Sequence, residues 1–170
     1  TLDLPRGTTE QWEPLVATTG DHESFTDRYG KATKENVTQF LSADVANPNS
    51  IVSCLLAARE NARSVREVIS SDMWEQVNRF YLMVRDAVSQ GLSSRNLHTF
   101  LADVKANSHL FLGITDATMS HGEGWHFARL GRLLERADKT SRILDVKYFM
   151  LLPTVTEVGT PFDIIQWSAL

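Results

Sequence analysis

The chain has 170 residues, of which 42% are apolar and 22% are charged, a balance typical of one globular domain with a core of its own. Its formal net charge of −4 disfavours nucleic acid or an anionic membrane surface as the main partner. The single cysteine, Cys54, excludes an intramolecular disulfide, and a cytoplasmic location is therefore expected.

Residues 1–48 are loosely organised. The pattern predicts a short helix over Thr9–Ala17 and a second one over Thr33–Ser42. The tetrapeptide Asn47-Pro48-Asn49-Ser50 then predicts a turn followed by the start of a longer helix. The helical core is therefore expected to begin at about residue 50.

The helix that begins at Ser50 carries apolar residues at alternating steps of four and three: Ile51, Leu55, Ala58, Ala62, Val65 and Ile69. Its first two turns are also apolar on the remaining sides, at Val52, Cys54, Leu56 and Ala57. A helix that is apolar all round is a buried one. We therefore predict that the N-terminal half of this helix runs through the centre of the fold, with Cys54 as a small core residue.

Three further helices complete the predicted core, which spans residues 50–150. The first is capped by Ser71 and Asp72 and has as inner positions Met73, Trp74, Val77, Phe80, Tyr81 and Val84. The second runs over Arg95–Met119, with core candidates Leu97, Leu101, Val104, Leu112 and Met119. The third runs over Trp125–Met150, with an apolar stripe at Leu130, Leu133, Leu134, Ala137, Ser141, Leu144 and Tyr148.

In residues 151–170, Pro153 predicts a loop after the long helix. Thr160-Pro161 then predicts the start of another helix, which is truncated by the end of the chain. The longest apolar run, Tyr148–Leu152, is far shorter than the roughly 20 residues of a membrane helix, so no membrane span is expected. The whole pattern predicts an all-α protein. We expect a single domain over residues 1–170, built as an antiparallel bundle of about five to six helices.

One motif in the last long helix is specific. It reads Leu130-Gly131-Arg132-Leu133-Leu134-Glu135-Arg136-Ala137-Asp138 and follows Glu123-Gly124-Trp125-His126-Phe127. With the stretches 50–55, 58–63, 73–81 and 144–148, it closely resembles the Alpha-E family, a bacterial, predicted all-helical family with a Glu-Arg motif. The resemblance covers about residues 40–170. It implies these motif residues: Gly131, Arg132, Glu135, Arg136, Asp138 and Arg142.

The resemblance also implies a setting, although the family brings no established reaction and no cofactor. Complete members resemble a longer chain, so this one is expected to be a central fragment. Family members resemble partners of ATP-grasp ligase-like and transglutaminase-like proteins, which implies peptide synthesis or modification. We therefore predict a non-catalytic helical scaffold that binds such a protein partner, with a homo-oligomer as a further assembly and no nucleic acid.

Two glutamates are candidates for chemistry, because Glu60-Asn61-Ala62 aligns on Glu135-Arg136-Ala137. The functional interpretation pairs Glu60 with Glu135 in a half-buried site for acid–base catalysis or cation binding. The structural interpretation, which we favour, is that each glutamate pairs with a nearby arginine and fixes helix packing. On a helix, Glu135 and Arg136 point about 100° apart, so they cannot act together on one ligand atom unaided.

Arginines form two strips: Arg59, Arg63 and Arg66 on one helix, and Arg129, Arg132 and Arg136 on the last. Such strips bind phosphates or the carboxylates of a partner, but more often they are solvated faces paired with acidic residues such as Glu67. An enzyme or carrier-binding subunit that positions an anionic substrate is thus the alternative function. Glu123 and His126 have the Glu-x-x-His spacing of di-iron bundles, but without a second copy, so no metal is expected.

Overall fold

A computed structural model of the chain describes residues 12–93 and 95–146, together with Gly159, Pro161 and Ile164. The described residues form seven α-helices and no strand: α1 (Glu13–Thr19), α2 (His22–Tyr29), α3 (Lys34–Ser42), α4 (Ile51–Ser64), α5 (Ser71–Ser89), α6 (Leu97–Thr118) and α7 (Glu123–Val146). The all-α prediction is confirmed, and the helices of this part of the chain already outnumber the predicted five to six. Tyr148, Pro153 and most of the predicted terminal helix lie outside the described residues.

The chain divides into two compact units. The first contains the described parts of segments 1–33 and 133–170, and the second is Lys34–Arg132. Helix α7 passes from the second unit into the first between Arg132 and Leu133. A single domain over residues 1–170 stays a prediction.

In the first unit, α1 and α2 are short helices: α1 buries Pro14 and Val16, and α2 buries Phe25. Pro14 lies in the first turn of α1, where a missing backbone N–H breaks no helical hydrogen bond. Thr9, the predicted cap, lies outside the described residues. The sequence pattern did not predict α2, because apart from Phe25 and Tyr29 its residues are polar and leave no apolar periodicity to detect.

The core of the second unit lies where α5 packs between α4 and α6. Four buried side chains form it: Val52, Phe80, Val84 and Phe100. Of the six inner positions predicted for α5, Met73, Val77, Phe80 and Val84 are buried, and Trp74 and Tyr81 are half-buried. On α6 the prediction holds for Met119, which is buried, and Leu97, Val104 and Leu112 are half-buried. It is wrong for Leu101, which is exposed, and it missed the buried Phe100.

The turn between α3 and α4 has the form that Asn47-Pro48-Asn49-Ser50 predicts. The buried Asn47 side chain donates from Nδ2 to the Phe40 carbonyl (3.0 Å) and accepts at Oδ1 from the Asn49 N–H (2.9 Å). Ser50 Oγ then accepts from the Ser53 N–H (3.2 Å), which caps α4. One amide and one hydroxyl thus fix where α4 begins.

The prediction that α4 runs through the centre of the fold is wrong. Of its residues only Val52 is buried, and Cys54, Leu56 and Ala57 are exposed. The helix packs chiefly on α5, which covers one side of it. It also ends at Ser64, so Val65 and Ile69 follow the helix instead of extending its stripe. A helix with apolar residues on every side is therefore not always packed against other helices on every side.

Candidate functional site

Helix α7 carries the Glu-Arg motif, and the prediction that its apolar stripe packs into the core is wrong. No described residue of α7 is buried. Phe127 is 71% exposed, Leu130 52% and Leu134 63%. The half-buried positions of the helix are instead Gly124, Trp125, Asp138, Lys139, Arg142 and Val146. An amphipathic pattern identifies an apolar face but does not show that anything covers it.

The exposed side of α7 has a regular spacing. Six residues follow one another at steps of three, four, three, four and three: Phe127, Leu130, Leu134, Ala137, Ser141 and Leu144. All six are exposed. This is the heptad spacing with which one helix packs against another in a coiled coil. We call these six residues the leucine face.

A pocket lies within the second unit where α6 meets the first part of α7. Its volume is about 240 Å³, and α5 contributes Met73 to it. The lining residues are Met73, Phe111, Leu112, Thr115, Asp116, Trp125, Ala128, Arg129 and Arg132. Met73 and Thr115 are buried, whereas Asp116, Arg129 and Arg132 are exposed. This α6–α7 pocket therefore has an apolar floor and a charged rim.

The Trp125 ring organises one side of the α6–α7 pocket. His121 stacks on it with a ring-centroid distance of 4.2 Å, and the Arg129 guanidinium lies 5.1 Å from its centroid. Within the described part of the chain, neither Arg129 nor Arg132 forms an ion pair with a carboxylate. The sequence pattern predicts anion binding by both arginines but gives no role to Trp125. The i,i+4 spacing of Trp125 and Arg129 is a signal that could have indicated their contact.

Glu60 lies among arginines, as the structural interpretation predicts. It accepts hydrogen bonds from Arg59 (2.9 Å) and Arg63 (2.8 Å). Arg59 also donates from Nε to Asn78 Oδ1 (2.7 Å). Its guanidinium lies 5.8 Å and 5.4 Å from the ring centroids of two aromatic residues on α5, Trp74 and Tyr81. These contacts tie α4 to α5, and Arg66 lies over Trp74 as well, 5.0 Å from its centroid.

Glu135 pairs with a lysine instead of an arginine. Its Oε1 lies 3.2 Å from Lys139 Nζ, one turn later in α7, and both Glu135 and Arg136 are exposed. Glu60 belongs to the second unit and Glu135 to the first. The paired Glu60/Glu135 site stays a prediction.

Two other motif residues form a closer ion pair. Arg142 Nε donates to Asp138 Oδ2 (2.9 Å), and Lys139 Nζ lies 3.3 Å from the same oxygen. The hydrogen bond from Arg142, helped by Lys139, lowers the pKa of Asp138 below its ordinary value of 3.8, and the same pair raises the pKa of Arg142. The charged form of Asp138 is therefore favoured in the folded chain.

Asp138→Asn should reduce the acid sensitivity of folding. Because the folded-state pKa of Asp138 is depressed, its ion pair stabilises the fold above pH 3.8, and this stabilisation is lost as the pH falls through the folded-state pKa. The difference in unfolding free energy between wild type and variant should thus shrink on acidification, as urea unfolding from about pH 6 to about pH 2 would measure. Asp145→Asn, at an exposed position on the same helix, is the matched control. An equal pH dependence of both variants would contradict this expectation.

Two glycines of α7 should respond oppositely to alanine. A Cβ at Gly124 would lie 2.6 Å from Val68 Cγ1 and 3.1 Å from Met119 Cε, whereas one at Gly131 meets nothing within 4 Å. Gly124→Ala should therefore destabilise the chain by about 1–3 kcal/mol through crowding. Gly131→Ala should stabilise it by about 0.5–1 kcal/mol through helix propensity. Thermal unfolding of both variants measures these changes. Stabilisation by Gly124→Ala would contradict the expectation, because it would mean that Val68 and Met119 move aside without loss of stability.

No group of three or more His, Cys, Asp or Glu side chains lies close enough to hold a metal ion in the described residues, which include Glu123 and His126. Among the helices that the structure describes, none combines the length and apolar character of a bilayer-crossing segment.

The described chain is all-α, and its last long helix carries Glu135-Arg136 on its surface. It is therefore a helical protein with an exposed Glu-Arg motif. The model of the Alpha-E family, described as a predicted alpha-helical domain with a conserved ER motif, matches residues 1–170. The chain belongs to the Alpha-E family. No curated protein matches it significantly, and neither does any solved structure.

Proposed function

We propose that this chain is a helical binding module that holds a partner protein through the leucine face of α7. The observation that carries the proposal is the heptad spacing of six exposed positions from Phe127 to Leu144. Apolar side chains at that spacing pack against a second helix with the same repeat. The partner is therefore a protein that offers an amphipathic helix with apolar residues at steps of three and four.

The partner we propose is an ATP-grasp ligase-like or transglutaminase-like protein of the bacterial cytoplasm. The support for this identity is the setting that resemblance to the Alpha-E family implies, namely peptide synthesis or modification. In that setting the module contributes no catalytic group. It recruits or positions the enzyme by burying the leucine face.

The experiment measures binding of such ATP-grasp-like and transglutaminase-like proteins to this chain by biolayer interferometry. The double variant Leu130→Glu/Leu134→Glu places two charges in the centre of the leucine face, and we expect it to weaken binding at least about 100-fold. The control Leu101→Glu/Leu110→Glu makes the same change at two exposed leucines of α6 and should leave binding intact.

Three results would contradict the proposal. One is equal weakening by both double variants, and another is unchanged binding of the leucine-face variant. The third is self-association of the wild-type chain that the leucine-face variant abolishes while neither enzyme binds. In that case the helix packed on α7 would belong to a second copy. Sedimentation velocity of each protein alone separates the third result from the others.

A second candidate function is an enzyme or carrier-binding subunit that uses Glu60 and Glu135 and positions an anionic substrate with arginines. Among the described residues Arg129 and Arg132 form no ion pair, which favours this function, because such guanidinium groups can bind a carboxylate or phosphate. Glu135→Gln tests it. The Glu135–Lys139 pair is exposed, so its loss should leave the fold intact. Loss of turnover in the reconstituted system would support catalysis, and full turnover would exclude it for Glu135.

A further inference from the structure

The α6–α7 pocket offers two kinds of surface to a ligand. Its floor is apolar and consists of Met73, Phe111, Leu112 and the Trp125 ring. The one hydroxyl there, Thr115 Oγ1, already donates to the Phe111 carbonyl (2.8 Å). A ligand that reaches the floor therefore gains by burying an apolar group and not by making polar contacts.

The volume of the pocket limits the size of that ligand. At about 240 Å³, it lies below the range of roughly 300–1,000 Å³ that is typical of pockets for drug-sized molecules. A compact molecule with one branched or aromatic group fits this size, whereas a lipid chain or a folded peptide does not.

The rim supplies cations for a carboxylate. Arg129 and Arg132 are three residues apart on α7, so both line the pocket from the same side. Arg129 stacks over Trp125, which leaves the N–H groups at the edge of its guanidinium free to donate. Two guanidinium groups beside an apolar floor select an anion that is attached to an apolar body.

Asp116 adds an anion to the same rim. Its carboxylate lies on α6, across the pocket from the arginines of α7, and it forms no ion pair among the described residues. A simple fatty or aromatic acid would leave this carboxylate unused. A ligand that also carries an ammonium group would pair with it, and the two charges of the ligand would then match both sides of the rim.

We infer that the α6–α7 pocket binds a free α-amino acid with an apolar side chain, such as leucine or phenylalanine. The side chain lies on the Met73–Trp125 floor, the carboxylate binds Arg129 and Arg132, and the ammonium group binds Asp116. This site is separate from the leucine face, so the failure of either proposal leaves the other standing.

Isothermal titration calorimetry of the whole chain tests the inference with four ligands. L-leucine should bind with a Kd between about 1 μM and 1 mM, as expected for a small ligand. Leucinamide lacks the carboxylate, 4-methylpentanoate lacks the ammonium group, and each should bind at least about tenfold more weakly. The dipeptide Leu-Leu should not bind better than leucine, because its charged ends are further apart.

Variants connect the binding to this pocket. Arg132→Gln and Asp116→Asn should each weaken leucine binding at least about tenfold, and Ala128→Phe should abolish it by filling the pocket. Arg136→Gln removes the same charge outside the pocket lining and should have no effect. Because the altered positions are exposed, the variants should keep the helical circular dichroism of the wild type.

Several outcomes would overturn the inference. They are no binding of leucine or phenylalanine up to about 10 mM, equal binding of leucinamide, and tighter binding of Leu-Leu. Leucine binding that survives in the folded Ala128→Phe variant would also overturn it, since the ligand would then occupy another place.

Discussion

Phe80→Ala should lower the free energy of unfolding by about 3–5 kcal/mol, the usual cost of removing a buried phenylalanine ring. Phe80 is 7% exposed and belongs to the cluster with Val52, Val84 and Phe100, where α4, α5 and α6 meet. The cavity that alanine leaves is surrounded by residues of three helices, so it cannot collapse by a local shift. Equilibrium unfolding in urea at neutral pH measures the loss.

Phe127→Ala is the matched control for this change. It removes the same ring from a side chain that is 71% exposed on α7, so the unfolding free energy should stay within about 0.5 kcal/mol of wild type. Equal losses in the two variants would contradict the structure of α7, because they would require the leucine face to be covered in the isolated chain. A small loss in Phe80→Ala would contradict the packing of α4, α5 and α6.

Asn47→Ala should cost about 2–4 kcal/mol. Its side chain is 1% exposed, and its amide joins the Phe40 carbonyl at the end of α3 to the Asn49 N–H before α4. Alanine removes the side-chain hydrogen bond of the buried Phe40 carbonyl, which costs about 1–3 kcal/mol. It also removes the part-buried hydrogen bond of the Asn49 N–H, which contributes about 1 kcal/mol. Chemical denaturation measures the loss, which should appear without a change in the m value, since the same surface is exposed on unfolding.

Asn61→Ala, on the exposed side of α4, provides the comparison. The substitution removes an amide from a helix surface and replaces it with the best helix former, so stability should stay the same or rise by a few tenths of a kcal/mol. Asn47→Ala would then lower the free energy of unfolding, whereas Asn61→Ala would leave it unchanged or raise it slightly. A mild effect of Asn47→Ala would mean that water replaces both hydrogen bonds of the turn.

The sequence predicted the fold class and most of the helices, because each long helix has apolar residues at a regular period. The prediction was best for α5, whose inner residues are packed on both sides by α4 and α6. It was worst for α2, where a single phenylalanine, Phe25, provides the buried side chain. A helix that packs through a single apolar residue shows no apolar periodicity, so its sequence pattern does not predict it.

The candidate site was harder to predict for a different physical reason. The apolar stripe of α7 was recognised, but its burial depends on what lies next to the helix, which a single helix does not encode. The α6–α7 pocket combines residues from α5, α6 and α7 that are more than fifty positions apart, such as Met73 and Arg132. Arg129 and Arg132 are anion-binding candidates in the sequence, and the i,i+4 spacing between Trp125 and Arg129 indicates their contact. Asp116 gains its significance only from the tertiary structure.

The exposure of Cys54 has a practical consequence for every binding measurement on this protein. It is the only thiol in the sequence, and it lies on the surface of α4. A maleimide dye will therefore label one defined position per chain, on a helix other than α7. The same thiol can join two chains in air, so samples kept without a reductant will contain covalent dimers unrelated to self-association.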